Sequence, residues 1–232
     1  MEQPDATPVE PAAAPPVGTK PVGARARSAQ LTRESILKAA IRVFAKYGLN
    51  GGSIEKISSA AKSHDRMIYY YFGNKEGLFV AVLEESYRRF NEAEAKVDID
   101  PLDPANSLRR VVHFILNYYR QHPEFVTILN SENLHRGKHV TKSRRAKDYS
   151  SKAISVFDDV LDAGKAQGLF RQDIRGRDLY MMVAALGYFY QSNRYTLSAF
   201  LGEKLESAET FENWEEFVMG AVLRTVGYKQ ET

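Results

Sequence analysis

Cysteine is absent from the 232 residues. Disulfides, thiolate metal sites and cysteine nucleophiles are therefore excluded, and a reducing, intracellular compartment is expected. No apolar run approaches the roughly 18 residues of a membrane span, and the N-terminus has no signal-peptide apolar core. No stretch alternates apolar and polar residues over a strand's length, and there is no internal repeat. A Walker loop, a dinucleotide glycine fingerprint and a Gly-x-Ser-x-Gly elbow are all missing. Proline is scarce beyond residue 21, since six of the nine lie within residues 1–21. These absences lead to the expectation of a soluble, cytoplasmic, all-α protein with no cofactor and no enzymatic chemistry.

What is present is a core-forming composition, 44% hydrophobic, with an uneven distribution of charge. Between Lys20 and Lys75 stand eleven Lys/Arg and three Asp/Glu, out of 32 and 29 in the chain. A basic first quarter on an acidic remainder fits a polyanionic partner for that quarter alone. The Pro/Ala-rich start cannot bury enough apolar surface to offset ordering, so residues 1–29 are expected to be a disordered tail. Its basic end, with Lys20, Arg25, Arg27 and Arg33 in or beside it, is either an arm that touches phosphate or a solvated leader.

Helical periodicity sets in at Thr32, a plausible N-cap with Glu34 behind it. Ile36, Ala40, Val43, Phe44 and Tyr47 share one face, and Gly48 supplies a left-handed stop. A short second helix starts at Ser53 and carries Ile54, Ile57 and Ala60-Ala61. Ser63 is expected to cap a third helix that ends at Gly73, and Asn74 a fourth, with Leu78, Val82, Leu83, Tyr87 and Phe90 on its apolar side. Beyond a proline-broken loop at 98–104, helices are expected near 104–121, 123–135, 143–166, 176–199 and 209–227.

The run MIYYYF in the third helix could be a buried strand or a helix with rings on several faces. Its caps favour the helix. At 100° per residue Ile68 and Phe72 face a core shared with Phe44 and Ile57. Ser63, Arg66, Met67 and Tyr70 fall outward, and Tyr69 and Tyr71 lie on the flanks. Three short helices so arranged describe a helix-turn-helix module over residues 30–77. Tyr70 can reach base edges, Tyr69 and Tyr71 the phosphates on either wall, and Lys75 a phosphate at the start of the fourth helix.

The segments TRESILKAAIRVFAKYG, SIEKISSAAK and MIYYYFGNKEGLF, with their spacing, resemble the TetR family of bacterial transcription regulators. The resemblance covers about a quarter of the chain. It implies operator DNA as partner of the N-terminal module, and a larger helical domain, residues 78–232, that dimerises and holds a small-molecule inducer. Carried over by position, Ser53, Tyr69, Tyr71 and Lys75 become phosphate contacts. Glu55, Asp65, Arg66, Met67 and Tyr70 become base readers. The chain departs from the family at Lys62-Ser63, where Gly-Val is usual, at His64 for Ser, and at Arg66 for a small residue. Those changes point to an operator of its own.

In the C-terminal part, Leu179, Met182, Val183, Leu186, Tyr190 and Asn193 form one stripe. Phe211, Trp214, Phe217, Val218, Ala221, Val222 and Val226 form another. Each is compatible with core or, as the resemblance implies, with a homodimer's four-helix bundle. The segment YYRQHPEFVTILNSENLHRGKHV mixes polar and apolar residues densely. Asn133, His135 and Arg136, with Tyr188 and Asn193, are candidates to hold an anionic or heteroaromatic inducer, Arg136 pairing a carboxylate bidentately. The alternative is a hydrogen-bonded surface segment. This part also resembles, more loosely, sensor domains of regulators of N-heterocycle breakdown, such as that of nicotinate or pyrimidines. Two rivals stand beside the regulator. One is a helical interaction protein without DNA binding. The other is a metal protein built on Glu132-x-x-His135, for which no second Glu-x-x-His exists.

Overall fold

The computed structural model describes residues 22–143 and 145–228, and the proline-rich stretch with Lys20 lies outside them. Every regular element among the described residues is helical, as the missing strand periodicity required. Helix α1 spans Val22–Gly51, α2 Ile54–Ala61, α3 Asp65–Phe72 and α4 Lys75–Glu94. After the 98–104 loop come α5 Pro104–Gln121, α6 Pro123–Leu134, a single 3-10 turn at Val140–Lys142, α7 Ala146–Ala166, α8 Gly176–Leu201 and α9 Ala208–Thr225.

Three local expectations are corrected. Helix α1 begins ten residues before Thr32, whose hydroxyl donates to the Ser28 carbonyl at 2.9 Å instead of capping. Ala, Arg and Gln in VGARARSAQL are good helix formers, so the basic segment from Val22 is helix and not a flexible arm. Gly48 does adopt positive φ, at 67°, but only kinks the helix, which resumes to Gly51. At the start of α3 the capping position is His64, not Ser63. Ser63 is occupied in closing α2: its N–H donates to the Ser58 carbonyl at 2.9 Å, while Lys62 N–H reaches Ser59 at 3.1 Å. This pair of bonds is a Schellman ending, with Lys62 left-handed at φ 51° and ψ 45°.

Helices α1 to α4 enclose a small core of Phe44, Ile57, Ile68 and Phe79, all fully buried. Phe44 and Phe79 meet edge to face at 5.3 Å. Phe79 takes the place that the sequence suggested for Phe72, which is half-buried beneath the Arg33 guanidinium at 5.1 Å. A methyl at Gly52 would lie 2.6 Å from the Phe44 ring, so the turn before α2 needs glycine to let α1 close in. The small core does not end with the first four helices. It takes in Val82 and Leu83 farther along α4 and Ile128 of α6.

The larger core is organised around α5. Leu108, Val112, Ile115 and Leu116 are buried against Phe157 and Leu161 of α7, Leu179 and Val183 of α8, and Val218 and Val222 of α9. The two stripes named from the sequence therefore turn mostly inward. The exposed large apolar residues of this pair of helices are Met181, Phe189, Tyr195, Phe200 and Leu201 on α8 and Phe217 on α9.

The left-handed Lys62 yields a prediction. Lys62→Gly relieves the Cβ clash at the cost of a floppier unfolded chain, so stability should rise by up to about 1 kcal/mol. Thermal unfolding would register this as a gain of a few degrees. A lower midpoint would mean that the lysine side chain has a structural role beyond its backbone.

Candidate nucleic-acid interface and interior polar tract

Helix α3 turns Ile68 fully inward and presents the opposite face to solvent: Tyr70 is 77% exposed, Tyr69 52%, and Arg66 is exposed as well. Tyr71 and Met67 are half-buried against the small core. Met67 therefore lies on a flank and not squarely on the outward face, because it is one 100° step from Ile68. Asp65 opens the helix, where the exposed N–H groups favour its charge.

Around the Asn50–Gly51 turn the fold collects residues from three helices. Lys75 of α4 donates to the Asn50 carbonyl at 3.2 Å, and Lys56 of α2 to the Gly51 carbonyl at 2.9 Å. Ser53 Oγ caps α2 by accepting from Lys56 N at 3.3 Å. A hydrogen bond with Ser53, its own backbone amide and the Lys75 charge hold the Glu55 carboxyl below its ordinary range. Ser53, Glu55 and Lys75 thus sit together, beside the tyrosine face. Tyr47, assigned to the core from its spacing, is instead exposed, with the Lys56 ammonium 4.4 Å above its ring.

The interface is tied to the rest of the chain through α6. Glu132 is buried and both its oxygens are engaged. Oε1 accepts from the backbone N–H of His139 at 2.6 Å and of Val140 at 2.8 Å, and Oε2 from His139 Nδ1–H at 2.7 Å. His139, itself buried, sets its ring edge-on to Phe79 of the small core at 5.2 Å. The turn thus fixed carries Lys138 and Lys142, each 2.8 Å from an oxygen of Glu76 in the first turn of α4. These two lysines pull the Glu76 carboxyl down to about 2. One residue before Glu132 on α6, Ser131 Oγ accepts from Leu49 N at 3.3 Å, beside the kink of α1.

Of the suggested ligand residues, only Tyr188 clearly faces inward. Its hydroxyl donates to Asn130 Oδ1, which also accepts from Ser192 Oγ at 3.1 Å. Asn133 is exposed but close enough to hold the Tyr188 phenol by a hydrogen bond. His135 Nδ1 is bonded to the Ser131 carbonyl at 2.7 Å, Arg136 is exposed on a left-handed turn at φ 57°, and Asn193 donates back to Phe189 O. Arg136 therefore does not reach an interior site. Among the described residues no three His, Asp or Glu gather as metal ligands.

The interior instead contains a tract of phenols that the sequence did not disclose. Burial pushes Tyr87 up to about 12 and raises Tyr119, Tyr180 and Tyr188, with neighbouring phenols adding to the shift of Tyr87 and Tyr119. At one end lies the Tyr188–Asn130–Ser192 group, and Tyr87 also feels the Glu132 charge. At the other lies Glu94, in the last turn of α4, whose charge is felt by Tyr119 and Tyr180. Burial alone raises the Glu94 carboxyl to about 7.

Comparison with known proteins fits this geometry at both ends. Residues 36–82 match the model of bacterial regulatory proteins of the tetR family, and 104–222 that of the tetracyclin repressor-like C-terminal domain. Over 206 residues the chain is 52% identical to the HTH-type transcriptional repressor NicS of Pseudomonas putida, covering 89% of this chain and 97% of that one. The chain belongs to the TetR family. A second relative is the HTH-type transcriptional repressor SCO4008 of Streptomyces coelicolor, 29% identical over 163 residues, 69% of this chain and 79% of that one. Among solved structures, a tetR-family regulator from Rhodococcus RHA1 superposes with a TM-score of 0.66 at 18% identity. It is covered to 98% by 86% of this chain. The fatty acid degradation regulator FadR of Bacillus halodurans gives 0.65 at 19%, over 85% of this chain and 97% of that one. These relatives are regulators, not enzymes, and the likeness to the solved structures is one of fold.

Within a TetR fold the linking turn usually has glycine where this chain places Lys62, and the left-handed backbone there shows that the geometry is kept while the residue is not. No helix among the described residues is long and apolar enough to cross a membrane.

The raised Glu94 carboxyl yields a pH prediction. The folded state holds its proton up to about 7, whereas the unfolded chain releases it near 4.5, so the folded protein binds more protons between those values. Stability should fall as pH rises through that window, and the loss is complete above it. Glu94→Gln should flatten the profile between pH 5 and 7 in chemical denaturation. An unchanged slope would show that Glu94 ionises normally in the fold.

Proposed function

We propose that the chain binds a palindromic operator as a homodimer and represses transcription in the cytoplasm until a small molecule enters its sensor interior. The observation that carries this reading is helix α3. It buries Ile68 completely while offering Arg66, Tyr69 and Tyr70 to solvent, next to the Ser53–Glu55–Lys75 group. Tyr70, Arg66, Asp65 and Glu55 serve as base readers, with Met67 contributing from the flank. Ser53, Tyr69, Tyr71 and Lys75 hold phosphates and so fix the register. Repression, rather than activation, is favoured by the likeness to NicS, a transcriptional repressor that shares about half of its residues with this chain.

Dimerisation uses the outer face of α8 and α9. Met181, Phe189, Phe200 and Phe217 leave a large apolar stripe in solvent, more than a monomer tolerates without a partner. A two-fold axis through that stripe carries the two α3 helices to successive major grooves, with half-site centres roughly 34–36 Å apart or a multiple of that. By function, the reader ends near residue 77 and the ligand and dimer domain follows, although the small core itself extends to Leu83 and Ile128.

Induction travels along α6. A ligand among the phenols displaces the Tyr188–Asn130 contact, α6 shifts, and the Glu132-bound turn carries Lys138 and Lys142 against Glu76 at the root of α4. The inducer must favour one arrangement by about 1–3 kcal/mol to act as an effector.

Binding to genomic fragments selected by the protein tests this. Tyr70→Ala should lose about 1–3 kcal/mol of discrimination between the selected site and its single-base variants. Lys75→Ala should weaken all duplex DNA nearly equally and lower the salt slope by about one. A Lys75→Ala protein with altered sequence preference and intact general affinity would reverse the assigned roles.

A further inference from the structure

We propose that Glu94 is the polar anchor of the inducer site, and that the inducer is a small flat heterocycle donating a hydrogen bond from a ring N–H into that carboxyl. The inference rests on the reading of the phenol-lined interior as the sensor. Glu94 is 3% exposed, and among the described residues its Oε1 meets no hydrogen-bond donor. The helix does not need it. The end of α4 is closed by backbone bonds, Ala95 N–H to Asn91 O and Val97 N–H to Glu94 O, both using main chain only. A buried carboxyl without a partner costs stability that a leucine would not. It sits at a helix C-terminus, where the dipole further disfavours its charge.

The chemistry of the missing partner follows from the surroundings. An acceptor oxygen lacks a donor, so the ligand must bring one. The surroundings come from different helices: Phe90, one turn before Glu94 on α4, lies 6.3 Å from the ring of Tyr119 of α5, Phe157 of α7 stands 6.0 Å from that of Tyr180 of α8, and both phenols feel the Glu94 charge. Aromatic walls select a flat ring, and a fatty chain would leave Oε1 orphaned. Apart from the phenols, the buried charged or ionisable residues among those described are Glu94, Glu132 and His139, with no Lys or Arg among them. The expected role of Arg136 as a carboxylate clamp is thereby replaced by a carboxyl as acceptor.

The full-length protein is titrated calorimetrically at pH 7.5 with 2-pyridone, its N-methyl derivative, 2-aminopyridine and benzoate. The wild type, Glu94→Gln and Glu94→Leu proteins are compared, and each is melted without ligand. Expected are binding of 2-pyridone or 2-aminopyridine to the wild type, and a loss of about 10–100-fold on N-methylation or in Glu94→Leu. The leucine variant should also melt higher than the wild type when empty. Glu94→Gln should retain part of the 2-pyridone binding and lose that of protonated 2-aminopyridine. A leucine variant that melts lower has lost a structural partner, and this overturns the proposal. So does preferential binding of benzoate, equal binding to wild type and leucine variant, or no binding by either N–H probe. DNA release separates the two layers: a probe that binds through Glu94 but leaves the affinity for a selected genomic fragment unchanged keeps the anchor and removes the sensor reading.

Discussion

A single buried carboxylate, Glu132, determines how the two ends of this molecule are joined. Its two oxygens take two backbone N–H groups and one imidazole N–H from the turn that follows α6. Removing the carboxylate would leave those donors without partners in a place closed to water, which makes the turn all-or-none. That turn joins α6 to the small core and to the start of α4. His139 packs on Phe79, Lys138 and Lys142 grip Glu76, and Ile128 and Ser131 of the same helix enter the small core and the α1 kink. The exposed ion pairs contribute little by themselves. Their value is directional, because they fix where α4 starts and hence where α3 points.

Seen from the interior, the same helix reports on the phenol tract. Asn130 is shared by Tyr188 and Ser192 of α8, two residues before Glu132. A movement of less than an ångström at Asn130 cannot be absorbed by a core that is already packed. It must be passed to Glu132 and its turn. Glu94 terminates the other end of the tract on α4 itself, the helix whose first turn holds Glu76. The two ends of α4 thus reach the Glu132-fixed turn and the phenol tract.

Much of this architecture was legible in the sequence because its signals were local. Asn74 does cap α4, donated to by Gly77 N at 2.7 Å, and the apolar faces of the first three helices placed Phe44, Ile57 and Ile68 in the small core. The outward placement of Tyr70 and Arg66 followed from 100° steps alone. The failures were of a different kind. Ser63 has the composition of a cap but is used by the preceding helix, and Tyr47 fits a buried stripe but is drawn out by two lysines. The helix formers of VGARARSAQL do continue α1, but the proline-rich stretch before them had drawn the segment into the expected tail. The stripe residues of α8 and α9 divided between core and outer face in a way set by α5, which periodicity within one helix does not contain. The phenol tract was invisible for the same reason: its members are far apart in sequence, and only the bundle brings Glu94, Tyr119 and Tyr180 together.

The claim that Glu132 carries the coupling between sensor and reader is tested most directly by amide hydrogen exchange on the wild type and Glu132→Ala. Opening of the 135–143 turn is expected in any case. The account predicts that exchange also quickens across the first turn of α4, near Glu76, and around Leu49–Gly51 of α1, while α5 and α9 keep their protection. Faster exchange confined to 132–143, with the first turn of α4 as protected as in the wild type, would contradict it.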